Sequence, residues 1–191
     1  GILGQGVLGG ITVLTDLHPL PVAGHFLLSI FLISGAISLR YEMVGVVKEA
    51  AVGLAKPILP LLIWLTLFVL IAGTIVTGSG PHAGDEQAQR FGFDPRVVSW
   101  LHADLVIALL VLTSMLFLIT RQIGLTIINK RVGLFLLICL AQGLVGYVQY
   151  FTGLPVVLVA IHLLGATLVW VSGWSLVKVA DSGFKLKGFQ L

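Results

Sequence analysis

Three of the five histidines in this sequence lie inside long apolar stretches, namely His25, His102 and His162. An ionisable side chain inside an apolar span is costly and is a candidate for function by default. Each of the three is expected a few residues inside one end of its span, so all share a similar depth. Imidazole is a common axial ligand of haem iron, and helical bundles build such sites from facing helices. Matched depth therefore favours a shared haem, and the alternative for each histidine alone is a hydrogen bond to a neighbouring helix.

A bare zinc or copper ion is the competing interpretation of these histidines. Such ions usually take three or four histidine, cysteine or carboxylate ligands. The C-terminal part of the chain has only two histidines within spans, while Asp104 is expected near the surface and Cys139 in core packing. Two axial imidazoles suffice for a porphyrin, whose nitrogens supply the other four positions, so haem is favoured.

The remaining histidines, His18 in TDLHPLP and His82 in GSGPHAGD, fall in polar connecting segments. We expect both to be solvated, although their position also allows them to cover a haem edge.

The composition indicates a protein that lies in a lipid bilayer. Of 191 residues, 58% are hydrophobic and 10% are charged, and the mean hydropathy is +1.09, whereas about a quarter of residues are charged in water-soluble domains. We expect an all-α fold, a polytopic transmembrane helical bundle, because helices satisfy their own backbone hydrogen bonds in lipid. Six spans are predicted, at 1–15, 21–39, 57–78, 98–120, 132–151 and 155–178.

The distribution of positive charge argues against nucleic-acid binding, despite a formal net charge of +3. Nine lysines and arginines flank one side of the spans and two flank the other, which is the pattern of cytoplasmic loops. Both ends of the segment are therefore expected in the cytoplasm, with loops near 16–20, 79–97 and 152–154 outside. The nine are Arg40, Lys48, Lys56, Arg121, Lys130, Arg131, Lys178, Lys185 and Lys187, and the two are Arg90 and Arg96.

An internal repeat relates the two ends of the chain. A shift of 137 residues aligns GQGVLGGITVLTDLHPLPVAGHFLL with AQGLVGYVQYFTGLPVVLVAIHLLG without a gap, with nine identities over the 23 positions from Gln5 to Leu27. His25 aligns with His162. Two hairpins separated by an even number of spans form a parallel repeat, and symmetry predicts a further hairpin upstream of this segment.

The repeat divides the chain into three parts. Residues 1–39 are expected to be the second hairpin of an N-terminal half, and 57–191 a C-terminal four-helix half. Residues 40–56 are expected to be a cytoplasmic linker, either a short interfacial helix or a solvated connection.

Glycines and glutamines recur within the repeat. The glycines lie at helical spacing and leave a face without bulk, which suits either close helix packing or a flat porphyrin. The two glutamines are expected to bond either ligand groups or a neighbouring helix. These residues are Gly6, Gly9, Gly10, Gly143, Gly146, Gln5 and Gln142.

The pieces GQGVLGGITVLTDL, GHFLLS, TGSGPHAGD, SWLHADLV and GLPVVLVAIHLLGAT resemble, in this order and spacing, the bacterial form of the haem A synthase family. The resemblance covers nearly the whole chain. It implies eight helices in two pseudo-symmetric four-helix halves, of which this chain is similar to helices three to eight, without the first two.

The resemblance also implies the chemistry. A haem A synthase oxidises a porphyrin methyl group of haem O to the formyl group of haem A, for cytochrome oxidase assembly. His102 and His162 would hold a haem b, and His25 would be one of two ligands of the substrate haem. The implied partners are haem O, haem O synthase, the cytochrome oxidase assembly machinery and the bilayer.

The chain departs from the family pattern in several features. The partner of His25, the catalytic glutamate near it and the cysteine pair of the first outer loop are not in this sequence, so the segment alone is expected to be inactive. The loop 79–97 also lacks the cysteine pair that some members carry there.

Two other functions are compatible with the same pattern. A membrane cytochrome b would hold a haem and pass electrons without acting on a substrate haem. A transporter without haem would also show parallel repeats, but it predicts ionisable groups deep in the membrane.

Overall fold

The computed structural model describes residues 1–81 and 87–181, so His82, Lys185 and Lys187 lie outside the described residues. Six helices are described: α1 (Ile2–Leu14), α2 (Pro19–Val44), α3 (Ala55–Ser79), α4 (Pro95–Gln122), α5 (Thr126–Phe151) and α6 (Val156–Val179). Two short strands, β1 (Glu49–Ala50) and β2 (Ala180–Asp181), pair in parallel. The predicted all-α class is confirmed.

Helices α2 to α6 are each long and apolar enough to cross a membrane, so this is a multi-pass membrane protein. Helix α1 has 13 residues and is about 20 Å long, which is less than the ~30 Å of a hydrocarbon core.

The helix boundaries follow local sequence signals. The Asp94 carboxylate accepts a hydrogen bond from the backbone of Arg96 at 2.8 Å and caps α4. Helix α2 ends at Gly45, whose φ of 63° lies in the left-handed region. Residues 36–44 contain neither glycine nor proline, so α2 continues beyond the predicted span 21–39 and takes residues 40–44 from the predicted linker. Residues 45–54 form turns and β1 instead of the short interfacial helix considered for this linker.

Helices α2 and α6 run parallel and in contact. Three side-chain pairs join them, and each pair lies four residues after the one before on both helices, which requires the same direction. The pairs are Ser34 with Trp170 at 2.8 Å, Ser38 with Trp174 at 3.1 Å, and Glu42 with Lys178 at 3.8 Å. The strands β1 and β2 follow these helices and bring their ends together, and we call this side of the molecule the strand end.

Helices α3 to α6 pack in a ring. Each contacts its two neighbours in the order α3, α4, α5, α6 and back to α3, so α4 and α6 face each other across the diagonal. Helix α2 packs against α3 and α6 on the outside of this ring, and α1 packs against α2.

The interior of the ring is filled mainly near the strand end. In α4 the first buried residue is Leu109, in α5 the last is Cys139, and in α6 the first is Val169. Large side chains such as Phe135 and Leu176 fill the interior there. Nearer the opposite end, the side chains of these three helices all keep some exposure. The ring is therefore closely packed at the strand end and looser at the opposite end.

Candidate functional site

The three predicted histidines occupy matching positions in three helices that start at the end opposite the strands. His25 lies six residues after Pro19, His102 seven residues after Pro95, and His162 six residues after Val156. These separations correspond to about 10 Å along each helix. We call this the histidine end, and its side chains lie beyond the closely packed part of the ring.

His102 and His162 meet across the diagonal of the ring. Their ring centroids are 6.5 Å apart and the ring planes make an angle of 77°. Two imidazoles that bind one metal from opposite sides hold their centroids roughly 6 Å apart, because each metal–nitrogen bond is about 2 Å. His25 makes no ring contact with either of them among the described residues.

The nitrogen atoms of His102 have distinct environments. Its Nδ1 lies 3.1 Å from the carbonyl oxygen of Val69 on α3. A carbonyl can only accept, so Nδ1 carries the proton and Nε2 keeps a free lone pair. A hydrogen bond from the second nitrogen to a backbone carbonyl is the usual way in which a ligating histidine is oriented.

The other two histidines lack this second hydrogen bond. Nδ1 of His162 and Nδ1 of His25 are buried and have no hydrogen-bond partner within the described part of the chain. Buried polar atoms without a partner are rare in native proteins and call for an explanation.

A glycine on the preceding helix faces each histidine ring. A methyl group added at Gly9 or Gly73 would lie 3.3 Å from Cε1 of His25 or His102, and one added at Gly146 would lie 3.1 Å from Cε1 of His162. All three distances are tighter than ordinary contacts, so the glycines let the rings lie directly against the neighbouring backbone.

Gly73 on α3 was not among the residues predicted from the sequence, although it has the same four-residue spacing from a contact residue as the other two glycines. Gly9 and Gly146 belong to the detected repeat, whereas Gly73 lies in a hairpin with a longer connection that the alignment does not include. Gln5, Val69 and Gln142 lie four residues before Gly9, Gly73 and Gly146, in that order. Each of them contacts the backbone or the ring of the facing histidine. The remaining repeat glycines, Gly6, Gly10 and Gly143, face open space.

The glutamines of the repeat bond the neighbouring helix. Nε2 of Gln142 donates to the carbonyl oxygen of His162 at 2.5 Å, and Nε2 of Gln5 donates to that of His25 at 3.2 Å. Gln5 also bonds the Ser29 hydroxyl. These contacts support the expected role of both glutamines as bonds to a neighbouring helix, rather than to ligand groups.

The repeat extends to the turns of the two hairpins. Asp16 and Leu17 adopt φ values of 49° and 57°, and the aligned Gly153 and Leu154 adopt 77° and 60°. The backbone N–H groups of Leu17 and Leu154 donate to equivalent carbonyls five residues earlier. Hairpins α1–α2 and α5–α6 therefore share turn conformation as well as sequence.

His18 has a structural role. Its Nδ1 accepts a hydrogen bond from the backbone N–H of Leu20 at 3.3 Å and caps α2, ahead of Pro19. This hydrogen bond lies at the exposed surface, and the proline that follows His18 is the sequence signal for the cap.

Two surface features lie apart from the histidine pair. Asp104 is exposed on α4 and lines a shallow depression with Arg96 and Trp100, where the guanidinium lies 5.2 Å from the indole centroid. An apolar groove of about 460 Å³ between α3 and α4 is lined by residues such as Trp64 and Phe68 and by no ionisable side chain.

The residues at the histidine end fit a porphyrin better than a bare metal ion. Within residues 1–81 and 87–181, no three His, Cys, Asp or Glu side chains cluster in a way that could hold an ion. A porphyrin needs only the two imidazoles, and the His102–His162 spacing suits it. The bulk-free Gly73 and Gly146 and the looser interior are further features that fit a flat ligand.

Comparisons with protein-family models, with curated proteins and with solved structures find no match.

Proposed function

We propose that this protein is a haem-binding membrane oxidoreductase of the haem A synthase type, which oxidises the porphyrin methyl group of haem O to the formyl group of haem A. The observation that carries the proposal is the pair of imidazole rings 6.5 Å apart on diagonally opposed helices. The sequence motifs around His25, His102 and His162 supply the choice of reaction.

In this proposal, His102 and His162 hold a haem b. Val69 fixes the tautomer of His102 through its carbonyl, and Gly73 and Gly146 allow both rings to approach the neighbouring helices. A haem with two imidazole ligands supplies reversible one-electron transfer and offers no vacant iron position.

The substrate haem is assigned to the hairpin α1–α2. His25 has the same glycine and glutamine neighbours there as His162 has in α5–α6. Haem O is apolar, so delivery from the lipid bilayer suits a site on this membrane hairpin. Haem O synthase and the cytochrome oxidase assembly machinery are the partners that this reaction requires.

The larger arrangement is also part of the proposal. Helices α3–α6 form the C-terminal four-helix half, α1–α2 belong to an N-terminal half related to it by pseudo-symmetry, and α2–α6 span the cell membrane. The repeated turns and the parallel contact of α2 with α6 support this layout. The nine-to-two distribution of basic residues supports a cytoplasmic strand end and an external histidine end.

A membrane cytochrome b that only passes electrons is the second candidate, because the same His102–His162 pair would serve it equally. A transporter is disfavoured because the histidines lie only about 10 Å along their helices from the histidine end.

Absorption spectroscopy of the purified protein tests the haem site. We expect a low-spin b-type spectrum that is lost in His102→Ala and in His162→Ala. His18→Asn is the matched control, because asparagine keeps the cap of α2, and its spectrum should be unchanged. A low-spin spectrum that persists in His162→Ala would remove the pair from consideration.

Product analysis tests the assignment of roles. The partner of His25 and the family's catalytic glutamate and cysteines are not in this segment, so incubation with haem O and an electron acceptor, followed by extraction and mass spectrometry, should yield no formyl product. Formyl product from this segment would contradict the assigned roles. Binding of haem O that is lost in His25→Ala favours the synthase over the electron-transfer cytochrome, which has no substrate haem.

A further inference from the structure

Gln149 on α5 is a buried polar group that the contacts described above do not use. Its Oε1 is buried and has no hydrogen-bond partner among the residues the structure describes. Residues 142, 146 and 149 share one face of α5, because residues three and four apart are neighbours on a helix. On this face Gln142 bonds the His162 carbonyl and Gly146 faces the His162 ring. The amide of Gln149 therefore lies on the side of α5 that faces His162, one turn nearer the histidine end.

The repeat shows that Gln149 is not part of the common hairpin scaffold. The aligned position in α1 is Thr12, whose hydroxyl donates to the carbonyl of Leu8 at 2.9 Å within its own helix. Gln5 and Gln142, in contrast, both make the same bond to the helix that follows. Oε1 of Gln5 is also buried without a partner among the described residues, but Nε2 of Gln5 bonds the facing helix. A buried amide at the position of Gln149 occurs only in the hairpin that contributes to the His102–His162 pair, which points to a role specific to that pair.

We propose that the side-chain amide of Gln149 donates a hydrogen bond to a carboxylate on the porphyrin edge of the haem held by His102 and His162. This inference rests on the proposed haem site. The carboxylates of a haem lie on one edge of the ring, and as anions they turn toward the nearer aqueous surface. That surface is at the histidine end, on the side of Gly146 where Gln149 lies.

The chemistry of the amide suits a carboxylate. The oxygen and nitrogen of a glutamine amide exchange places by a half-turn, and their assignment follows from the hydrogen-bond network. A carboxylate at this position would select the orientation with Nε2 inward, because an ionised carboxylate only accepts hydrogen bonds. The bond is charge-assisted and stronger than one between neutral groups.

Binding of two haems distinguishes this role from general packing. Protoporphyrin IX iron and its dimethyl ester, which has no ionised carboxylate, are titrated into the detergent-solubilised protein and the affinities are measured by absorption. Gln149→Leu and the unbranched Gln149→Met should weaken binding of the free acid by about tenfold. Both should leave binding of the dimethyl ester at the wild-type level, which also demonstrates that the variants fold. Gln122→Leu, at the exposed last residue of α4 near the strand end, is the matched control. It should leave the affinities for the free acid and for the dimethyl ester unchanged.

The outcomes separate the two proposals. Equal losses for both haems, or no loss for either, would overturn the assignment of Gln149 while leaving the haem site intact. A wild-type protein that binds neither haem would overturn the proposed haem site and, with it, this inference.

Discussion

The indole nitrogen of Trp170 donates a hydrogen bond of 2.8 Å to Oγ of Ser34, which connects α6 to α2 over 136 residues of sequence. Both side chains are buried, and the Ser34 hydroxyl in turn donates to the carbonyl of Ile30 at 2.9 Å. Trp174 repeats the contact with Ser38 one turn further on. The two tryptophans stack with ring centroids 5.8 Å apart, so this seam fixes how the hairpin α1–α2 lies against the ring α3–α6.

The first prediction concerns this seam. Trp170→Phe removes the donor but keeps most of the aromatic ring, and we expect a loss of about 1 kcal/mol in the free energy of unfolding. Denaturant unfolding in detergent measures it. Trp64→Phe, on the exposed surface of α3, should change stability by less than about 0.5 kcal/mol. Equal losses in the two variants would show that the Trp170–Ser34 bond contributes nothing.

The second prediction concerns the glycine that faces His162. In Gly146→Ala the new methyl group would lie 3.1 Å from Cε1 of the histidine, so the ring or the helix must shift by a few tenths of an ångström. Overpacking of this kind costs about 1–3 kcal/mol, and haem affinity should fall roughly tenfold or more. Haem content and the low-spin absorption band report the change. Gly143→Ala, where a methyl group meets open space, should behave as the wild type, and a matching loss there would contradict the role of Gly146.

The third prediction concerns orientation in the membrane. In a Cys139→Ala background, Gly92→Cys at the histidine end should react with an impermeant thiol reagent added outside intact cells. Lys48→Cys at the strand end should react only after the membrane is opened. The nine-to-two bias of basic residues is the reason. Labelling of the two positions in the reverse order would invert the topology.

The fourth prediction compares two glutamates near the strand end. The carboxylate of Glu49 accepts a hydrogen bond from the backbone N–H of Ile128 at 2.8 Å, in the first turn of α5. Glu49→Ala should therefore reduce the free energy of unfolding by about 1–2 kcal/mol, as the loss of a helix cap does.

Glu42→Ala serves as the comparison for Glu49. Its ion pair with Lys178 is 3.8 Å long and the glutamate side chain is 57% exposed, so the loss should be within about 0.5 kcal/mol. Denaturant unfolding measures both variants. If Glu42→Ala destabilises the protein as much as Glu49→Ala does, the capping role of Glu49 is wrong.

Much of the local structure could be predicted from the sequence. Composition indicates helices in lipid, because no other open structure satisfies the backbone there. The shared depth of His25, His102 and His162 follows from their distance to the helix starts, and the repeat indicates two equivalent hairpins. Helix ends were less predictable, as the extension of α2 to Gly45 shows, because apolar content does not reveal where a helix leaves the bilayer.

The tertiary structure decided which residues meet. The helices are apolar on nearly all sides, so the sequence contains little signal for which face of each turns inward. The approach of His102 to His162 across the diagonal, the contact of Gly73 with His102 and the seam from Trp170 to Ser34 all depend on the rotation of each helix about its axis. That rotation is determined by the packing of large side chains such as Phe135 near the strand end. The sequence by itself therefore determined the membrane helices and the depth of the histidines. It indicated His102 and His162 as partners only through the family resemblance, and packing between helices decided that their two rings meet.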